Sequence, residues 1–497
     1  MKTVRKITTL LAVVLVAVGS QAQQRPLAFP TAEGFGKYAS GGRGGKVVEV
    51  TNLNDTGEGS LRWALTEAGR ENATIVFRVS GIIDIGPNPQ RKGERSIRAK
   101  LKNVTIAGQT APGEGILLRG GKLNLGGSDN VIIRNIRSRL GVIEQPRKEG
   151  ETDAAYKKRC FIEGGAIGIE NAQNIIIDHC CFGWSGEENV TMYDNHFTTV
   201  QWCIVHEGLH DAGHKKGVRG YGAQWGGSPA TFHHNLLVSN DSRSARINGA
   251  TNPQGDKNVF LEYQNNVNFN WGRRNSCYGG ENEAGEGSSH ECNFVGNYYK
   301  PGPAHPEDNV FIELSAARKG KTLTGPSLWY IDGNVMEGQQ VKDNWQLVSN
   351  KTGFTTDQMK QAQPIRKTAY EAYLTVAESA KKAYRHVLEK AGTIHRDVVE
   401  RRLIDDVKCG QPRFSGQGAH RQGIIDSPAD ADGWPVYAPA TPVADNDHDG
   451  IADEWERAHG LNPSDPEDGK KVVSPEGYTA LEVYLCSLMG EKIKLSK

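Results

Sequence analysis

Short β-branched strands, each followed by a turn, recur along the middle of this chain, and this recurrence is what most constrains its fold. Units of this kind begin near Asn103, Asn130, Asn174, Thr198, Ala230, Asn258 and His290. A single strand-plus-turn unit is too small to bury its own apolar face, so neighbouring units must stack to form a continuous core. The repetition therefore predicts an all-β solenoid.

The strand pattern and the composition favour parallel pairing between the stacked units. The strands are apolar runs with interspersed polar residues, which is typical of parallel strands that bury one face. The chain has 59 Gly residues, and Gly together with Asn allows the left-handed corners that such a coil needs. A β-sandwich is the competing architecture. The solenoid is favoured because hairpin dipeptides are scarce and similar units recur along the chain.

The N-terminus has the pattern of a secretory signal. Lys2, Arg5 and Lys6 precede an apolar run at residues 10–18, and a small-residue cleavage site ends at Ala22. The apolar run is too short to span a bilayer. We expect cleavage near Ala22 and a secreted or periplasmic product, and no other segment indicates insertion into a membrane.

Four segments are predicted along the chain. They are a signal peptide at 1–22, a solenoid domain at 23–410, a linker at 411–442 and a small acidic module at 443–497. Within the solenoid domain, residues 355–407 are charged, Ala-rich and helical in period, and we expect this helical segment to pack on the outside of the body. A short amphipathic helix at 61–69 is expected to cap the open end. A capped solenoid is expected to be a monomer.

Net charge and cysteine spacing give no indication of nucleic-acid, membrane or cysteine-based metal binding. The net charge is +1 at pH 7, so no overall field indicates binding to nucleic acid or to a membrane surface. The eight Cys residues contain no CxxC pair and no metal-type spacing. Cys180, Cys181 and Cys203 lie in or just after apolar strands, where a buried small side chain is expected.

The acidic module begins with a calcium-loop pattern. Residues 445–456 match D-x-D-x-D-G-x5-E at every position, with Gly450 at the sharp turn. The predicted ligands of a structural Ca²⁺ are Asp445, Asp447, Asp449, the carbonyl of Ile451, Asp453 and Glu456. No apolar helix precedes the loop, so it resembles the loops of dockerin-like and thrombospondin type 3 repeats. A solvated acidic turn is the alternative.

Charged residues follow three consecutive strands of the repeat. Carboxylates come first, then lysines, then arginines: Asp178, Glu187, Glu188, Lys215, Lys216, Arg243 and Arg246. If the strands are successive rungs, these groups lie side by side on one face. Oxygen ligands suit a hard cation, and nearby positive charges suit an acidic substrate. Taken singly, each group has a simpler explanation as a solvated loop, a surface lysine pair or a structural ion pair.

A literal zinc-peptidase pattern, HExxH, occupies residues 206–210. Zinc binding by this pattern needs both His residues one turn apart on a helix. Here the pattern directly follows a strand, and Gly208 and Gly213 flank its second His. We therefore expect turn histidines on the active face, His214 among them, and keep a zinc peptidase only as an alternative.

Several segments resemble pectate lyases of polysaccharide lyase family 1, particularly the secreted forms of gut Bacteroidetes. These segments are 29–36 (FPTAEGFG), 57–64 (GEGSLRWA), 105–112 (TIAGQTAP), 177–179 (IDH) and 232–236 (FHHNL). The resemblance extends from residue 29 to about residue 410. It implies a right-handed parallel β-helix and a calcium-dependent lyase that acts on pectate, the α-1,4-linked polygalacturonate.

The resemblance also implies roles for the carboxylates and lysines. Asp178 aligns with the calcium-binding Asp of the family's Trp-Ile-Asp-His strand, although Ile stands here in place of Trp. Glu187 and Glu188 fall where the next rung supplies its acidic calcium ligands. Lys215 or Lys216 matches the substrate-binding Lys.

The arginine pattern matches the family only in part. Arg243 matches the first Arg of the family's Arg-x-Pro-x-x-Arg, which is its catalytic base. Ala245 replaces the Pro, and Asn248 stands where the last Arg is expected. Arg246 is the substitute assigned to support the substrate, together with His214.

These roles imply β-elimination. Ca²⁺ that bridges enzyme carboxylates and a uronate neutralises charge and acidifies the C5 proton, and a lysine adds fixed positive charge. Arg243 takes the proton, and the bond to O4 breaks to leave a 4,5-unsaturated oligogalacturonide. Arginine has an ordinary pKa above about 12. Lysines, calcium and burial all disfavour its charged form, so an alkaline pH optimum is expected.

Two other functions compete with the lyase. A glycoside hydrolase on the same fold needs two carboxylates, for which Asp178 and Glu188 are available. A hydrolase would leave Lys215, Lys216 and Arg243 without a role. A non-catalytic β-helix that only binds polysaccharide is kept open by the departures from the family pattern at Ala245 and Asn248.

Overall fold

The structure, a computed structural model, describes residues 25–249, 258–282, 289–417 and 421–496. The predicted signal peptide at 1–22 lies outside these residues. Among the helices that are described, none combines the length and the apolar character needed to cross a membrane.

Three parallel sheets, which the chain visits in turn, make up the body of the protein. The first sheet contains Lys46–Val50, Glu71–Phe77, Lys102–Ala107, Asp129–Arg134, Gln173–Asp178, His196–Gln201, Ala230–His233, Val259–Gln264, His290–Val295 and Leu328–Asp332. The second contains Gly81–Asp84, Ile116–Arg119, Ile136–Arg139, Cys181–Gly183, Ile204–His206, Leu236–Val238, Val267–Phe269, Tyr298–Lys300 and Val335–Met336. The third contains Ser96–Arg98, Lys122–Asn124, Ile167–Glu170, Glu188–Tyr193, Tyr221–Trp225, Arg246–Ile247, Asn275–Gly279, Val310–Leu314 and Val348–Asn350. From Glu71 onward each coil adds one strand to each sheet, so the predicted parallel β-helix is confirmed.

Strands of neighbouring coils pair in register, so equivalent side chains stack along the axis. In the first sheet, Ile177 pairs with Val200, Val200 with Phe232, and Phe232 with Tyr263. All four side chains are buried in one core that runs through the coil. The units predicted from the sequence all lie in, or begin beside, strands of this sheet. Burial of such apolar rows, at roughly 25 cal/mol per Å², is what stacks the coils.

A single left-handed residue turns the chain from the first sheet to the second on successive coils. These corner residues are Asn135, His179, Trp202, His234 and Asn265. Asn tolerates this backbone region better than most residues, which explains the two Asn corners. The three ring-bearing corners stack instead, with centroids 6.1 Å apart for His179 and Trp202, and 4.3 Å apart for Trp202 and His234.

A row of buried asparagines lies just after this corner. Asn235 donates to the side-chain oxygen of Asn266 at 3.0 Å, Asn266 to Asn297 at 3.2 Å, and Asn297 to Asn334 at 2.8 Å. Asn266 also donates to the carbonyl of Phe232 at 2.9 Å. Because these buried amides find partners in one another, the row fixes the register of the coils.

The charged segment at 355–407 is not one continuous helix. It forms Thr356–Met359, a short 3₁₀ stretch at Thr368–Tyr373, then Ala380–Lys390, and Val398–Cys409, which extends just past it. Tyr373 stacks on Phe35 at 5.7 Å between ring centroids, whereas Val376 is 91% exposed. The helical period seen in the sequence is therefore interrupted, because contacts with the body override it.

The two longer helices of this segment pack on the outside of the second sheet. Val387 and Leu403 are buried in a cluster with Ile204 and Leu236 from that sheet. A capping box at Asp397 starts the second of these helices. Both helices therefore cover the outer face of the second sheet.

Buried ion pairs anchor the same segment to several coils. Arg139 donates to Asp397 at 2.6 Å, and Arg402 donates to Glu207 at 2.7 Å. All of these side chains are almost completely buried. Because a buried charge needs a partner, the helices and the coils depend on each other for neutralisation.

The other helices are Leu61–Trp63, which continues in a wider turn at Ala64–Ala68, and Asp153–Cys160, Asp453–His459 and Ala480–Leu488. The first lies where a helix at 61–69 was expected and buries Leu61 and Leu65 in the core. The last two pack beside Ala107 of the first sheet through Trp455 and Leu481. No disulfide joins the eight Cys residues, all of which lie in described parts of the chain. Cys180, Cys181 and Cys203 are fully buried, as expected.

Candidate active site

A row of partly exposed polar side chains crosses the third sheet from coil to coil. Glu188 pairs with Tyr221 on the next coil, Tyr221 is bridged to Ser242, and Arg246 pairs with Tyr278. Successive side chains of a strand point to opposite faces, so in-register residues that face outward come into line. Three of the predicted residues, Glu188, Arg243 and Arg246, meet in this row, which we call the groove.

Arg243 lies at the centre of the groove. Its Nε donates to the hydroxyl of Tyr278 at 2.9 Å, and its guanidinium carbon lies 4.2 Å from the ring centroid of Tyr221. It also forms an ion pair with Glu188. The backbone of Arg243 is left-handed, with φ of 61°. A large residue is held in this sparsely populated region only where its surroundings fix it, which is common at functional sites.

The surroundings of Arg243 lower the pKa of its guanidinium. Burial lowers the pKa of Arg243 below its ordinary value, and the charge of Arg246 lowers it further against the opposing effect of Tyr278. The side chain retains 14% exposure, so a ligand in the groove can still reach it. This combination of access and lowered pKa is what a basic catalytic group requires.

Glu187 and His214 form a second pair beside the groove. The backbone N–H of Lys216 donates to Nδ1 of His214 at 2.9 Å. Nε2 therefore carries the proton of the neutral ring and donates to Glu187, 2.9 Å away. The edge of Phe161 supports the imidazole at 5.2 Å between centroids. The predicted His214 thus orients a carboxylate next to Glu188.

Lys215 and Lys216 stand on the exposed turn that follows His214. Lys215 pairs with Glu163 at 3.0 Å, and both side chains are mostly exposed. An exposed pair of this kind is worth about 0–1 kcal/mol and is readily exchanged for another partner. The two lysines therefore form a rim of positive charge that a bound anion would meet first.

Arg246 and Asn248 share one carboxylate. Arg246 donates to Glu281 at 2.8 Å, and Asn248 donates to its other oxygen at 2.5 Å. The guanidinium of Arg246 also lies 5.4 Å from the ring centroid of Tyr278. Asn248, which stands where the resemblance predicts the last Arg, thus binds the same carboxylate as Arg246.

Asp178 lies elsewhere, and the expectation that it joins Glu187 and Glu188 on one face was wrong. It ends a strand of the first sheet, and the chain then passes through the second sheet before reaching Glu188 in the third. Its oxygens accept from Arg134 and Gln201, both at 2.8 Å. Burial alone would raise the pKa of Asp178, but His179 and Arg134 hold it far below its usual range. Asp178 is a buried structural carboxylate.

Four residues of the groove were missed from the sequence. They are Glu163, Tyr221, Tyr278 and Glu281. None belongs to a recognisable motif. Their common signal is position, because each lies next to a predicted residue on a neighbouring coil or loop. That signal is usable only once the register of the third sheet is known.

The HExxH pattern at 206–210 does not form a zinc site. His206 lies on a strand of the second sheet and is fully buried. Glu207 is occupied by Arg402 and by the indole N–H of Trp184 at 2.9 Å. The pattern is not on a helix, so its two His residues do not share a helix face.

The acidic loop of the C-terminal module brings most of its predicted ligands together. Asp445, Asp447 and Asp449 offer oxygens within 4.8 Å of one another, and Asp449 and Glu456 do so together with Asp468. Asp453 is the exception among the predicted side chains. It accepts from the backbone of Asn446 at 2.8 Å and from Arg457 at 2.9 Å. Ile451, predicted through its carbonyl, donates its backbone N–H to Asp449 at 2.8 Å and buries its side chain in the module's core.

Comparison with known proteins finds relatives along nearly the whole chain. The chain is 32% identical over 480 residues to "Probable pectate lyase C" of Neosartorya fischeri, covering 96% of this chain and 97% of that protein. The protein of the same name from Aspergillus fumigatus gives the same identity and coverage. No protein-family model matches the chain.

Comparison with solved structures gave matches of lower identity. The major allergen from cedar pollen is 15% identical, with a TM-score of 0.48, and the match covers 73% of this chain and 93% of that one. A pectate lyase from Bacillus sp. N165, solved in complex with trigalacturonate, is 17% identical with a TM-score of 0.42, and the match covers 73% of this chain and 98% of that one.

Proposed function

Because this chain belongs to the pectate lyase family and is thus a polysaccharide lyase, we propose that it cleaves α-1,4-polygalacturonate by β-elimination with Arg243 as the base. The observation that carries the assignment of Arg243 is its setting. It is held between Tyr221, Tyr278 and Glu188, remains accessible from the groove and has a lowered pKa.

The proton to be removed lies on C5 of a galacturonate unit, next to the carboxylate. Neutral Arg243 takes this proton, and the electrons of the C–H bond form a double bond between C4 and C5. The bond from C4 to the glycosidic oxygen breaks, and that oxygen takes up a proton from solvent. The products are a shortened chain with a reducing end and an oligogalacturonide with a 4,5-unsaturated sugar.

Positive charge at the rim of the groove suits an acidic polymer. Lys215 and Lys216 are exposed, and Arg246 lies deeper beside Tyr278. We assign these three side chains to the uronate carboxylates, with His214 holding Glu187 in place. A fixed positive charge beside the reacting uronate stabilises the negative charge that develops as the proton leaves.

Glu187 and Glu188 are the residues that would hold Ca²⁺ in the groove. They are adjacent, partly exposed and oxygen-bearing, which fits a hard cation. In the described residues, clusters of three acidic ligand atoms occur only in the C-terminal module, so the groove would need substrate oxygens to complete its set. When bound, the ion supplies the charge that neutralises the uronate and acidifies its C5 proton.

Location, boundaries and assembly follow from the sequence pattern. We propose that residues 1–22 direct the protein out of the cytoplasm and that it acts as a monomer. The divisions at 23–410, 411–442 and 443–497 stay predictions.

The test is ultraviolet absorbance during incubation with polygalacturonate, first with added Ca²⁺ and then with excess chelator. A rise that chelation abolishes supports the proposal, because elimination creates a conjugated double bond. Release of reducing ends without absorbance would assign a glycoside hydrolase. Calcium-dependent retention on the polymer without any product would assign a binding protein.

A further inference from the structure

The C-terminal module contains an unusual concentration of unpaired negative charge. Seven carboxylate oxygens in its described residues are buried and have no hydrogen-bond partner. They belong to Asp445, Asp447, Asp449, Glu456 and Asp468. Glu456 is completely buried with both oxygens unpaired, and Asp468 is 2% exposed. Buried carboxylates without partners are costly, so a partner of opposite charge is required.

These carboxylates converge on one place. Asp449 belongs to both acidic groupings, one with Asp445 and Asp447 and the other with Glu456 and Asp468, and each grouping spans at most 4.8 Å. Within the part of the chain that the structure describes, the only positive side chain paired with the set is Arg78, which lies 3.4 Å from Asp445. One guanidinium at the edge does not neutralise five carboxylates.

Asp468, which no pattern predicts, groups with Asp449 and Glu456, whereas the predicted ligand Asp453 does not. The pattern places Asp453 among the ligands, but Asn446 donates to both of its oxygens and Arg457 donates to one of them. Asp468 lies outside the pattern. One of its oxygens accepts from the backbone of Asn462 at 2.8 Å, while the other is buried and unpaired.

We propose that Asp445, Asp447, Asp449, Glu456 and Asp468 bind one Ca²⁺ ion, with Asp468 and not Asp453 completing the ligand set. Oxygen ligands in this number suit Ca²⁺, which accepts six to eight of them with flexible geometry. The site lies in the C-terminal module, apart from the groove, and it does not depend on the proposed lyase function.

The ligands come from two segments, so the ion joins them. Glu456 lies on the helix Asp453–His459, and Asp468 begins the short turn Asp468–Lys470 that precedes the helix Ala480–Leu488. Without the ion, repulsion among the carboxylates separates these segments. The bound ion therefore fixes the second helix and the residues that follow it.

Those following residues reach the body of the protein. Glu482 on the helix pairs with Arg43 at 2.7 Å, and Glu491 beyond it pairs with Arg134 on the first sheet. The loop itself is attached through Arg78 and through His448, which lies 2.9 Å from Glu49. Loss of the ion is therefore expected to loosen the whole C-terminal module from the coil.

The experiment measures Ca²⁺ binding by isothermal titration with CaCl₂ and the change in Tm that Ca²⁺ produces. The full chain carries Glu187→Gln and Glu188→Gln throughout, so that ions in the groove do not contribute. Asp468→Asn and Asp453→Asn are compared in this background. The two changes are chemically matched and lie in the same module.

We expect one Ca²⁺ per chain and a rise in Tm on binding in the background protein. Asp468→Asn should weaken binding at least tenfold and abolish the rise, while Asp453→Asn keeps both. Equal loss in the two variants, or no Ca²⁺-dependent rise in the background protein, would overturn the proposal.

A second variant and a second measurement keep the test valid if Asp468→Asn misfolds, and both are independent of catalysis. If Asp468→Asn does not fold, Glu456→Gln replaces it, with the same expected loss of binding. Limited proteolysis of the background protein should cut within 443–496 faster in chelator than in Ca²⁺. Neither calcium binding nor proteolysis is measured through lyase activity. The calcium site can therefore be confirmed if the proposed lyase function fails, and the lyase function can be confirmed if the calcium site fails.

Discussion

Glu491, just past the last helix, holds Arg134 of the first sheet through two hydrogen bonds of 3.0 and 3.1 Å. Arg134 in turn donates to Asp178 at 2.8 Å. All three side chains are at most 6% exposed. The C-terminal end of the chain is thus joined to the carboxylate that most resembles a family motif, and this carboxylate serves the fold.

Removal of Asp178 should destabilise the protein without affecting the groove directly. Asp178→Asn leaves Arg134 buried with only one carboxylate, and we expect a loss of about 3 kcal/mol in the free energy of unfolding. Denaturant unfolding at pH 7 measures this loss. The control is Asp84→Asn, which breaks the more exposed pair with Arg119 and should change stability by less than about 1 kcal/mol.

The same variant tests a pH effect. The folded pKa of Asp178 lies far below its unfolded value, so its contribution is complete at neutral pH and is lost as the pH falls below about 4. The difference in stability between wild type and Asp178→Asn should therefore shrink on acidification. A difference that is constant from pH 7 to pH 3 would contradict this account.

Replacement of Arg243 should abolish turnover while binding survives. Arg243→Lys keeps the charge but changes the reach and the pKa of the base, and we expect kcat to fall by about 10²- to 10⁴-fold. Initial rates of absorbance with polygalacturonate give kcat and KM separately. Arg274→Lys is the matched control, because Arg274 is exposed and pairs with Asp308, which is also exposed. Near-normal kcat in Arg243→Lys would remove Arg243 from the role of base.

The pH dependence of catalysis follows from the protonation of the base. Arg243 must be neutral to accept a proton, and burial lowers its pKa below the ordinary value. The neutral fraction, and with it kcat/KM, should rise as the pH increases through the alkaline range. The measurement is a kcat/KM profile from pH 5 to pH 11 at constant ionic strength. A maximum near pH 5 would refute the assignment.

Glu262 should limit stability at the alkaline pH that catalysis favours. Burial raises the pKa of Glu262 to about 7, although Thr231 and Gln264 donate hydrogen bonds to it. The folded state therefore keeps a proton that the unfolded state has lost, and stability falls as the pH rises from about 4.5 to 7. Glu262→Gln should gain a few kcal/mol relative to wild type above pH 7.

The check is the Tm of both proteins between pH 5 and pH 9. We expect the difference in favour of Glu262→Gln to grow up to about pH 7 and then to remain level. Glu170→Gln, a change at an exposed position on the third sheet, should show no such trend. A pH-independent difference would show that Glu262 does not titrate in this range.

The coil was predictable because its signal is local. Each unit contains an apolar run and a residue that tolerates a left-handed corner, and both are visible in a few consecutive letters, as at Asn174 and Asn265. The location of Asp178 was not predictable in this way. Whether a residue at a strand end faces the groove depends on which sheet the strand joins, and this depends on corners that can be counted only in the folded chain.

In the acidic loop, too, the residues close together in sequence were predictable and the residue brought in by the fold was not. Spacing alone identified Asp445, Asp447, Asp449 and Glu456, because consecutive ligands of one loop are encoded consecutively. Asp468 is brought to them by the fold of the module, and no spacing rule contains it. Likewise, Tyr221 and Tyr278 reach Arg243 only through the pairing of coils.

The helices that pack on the second sheet connect different coils of the body. They are anchored to Arg139 on one coil and to Glu207 on a later one. An additional coil inserted between these anchors would separate them by roughly 4.8 Å, more than a side-chain rotation recovers. The number of coils beneath the helices is therefore fixed. Duplication or deletion of coils, in evolution or by engineering, is confined to the parts of the body that these helices do not cover.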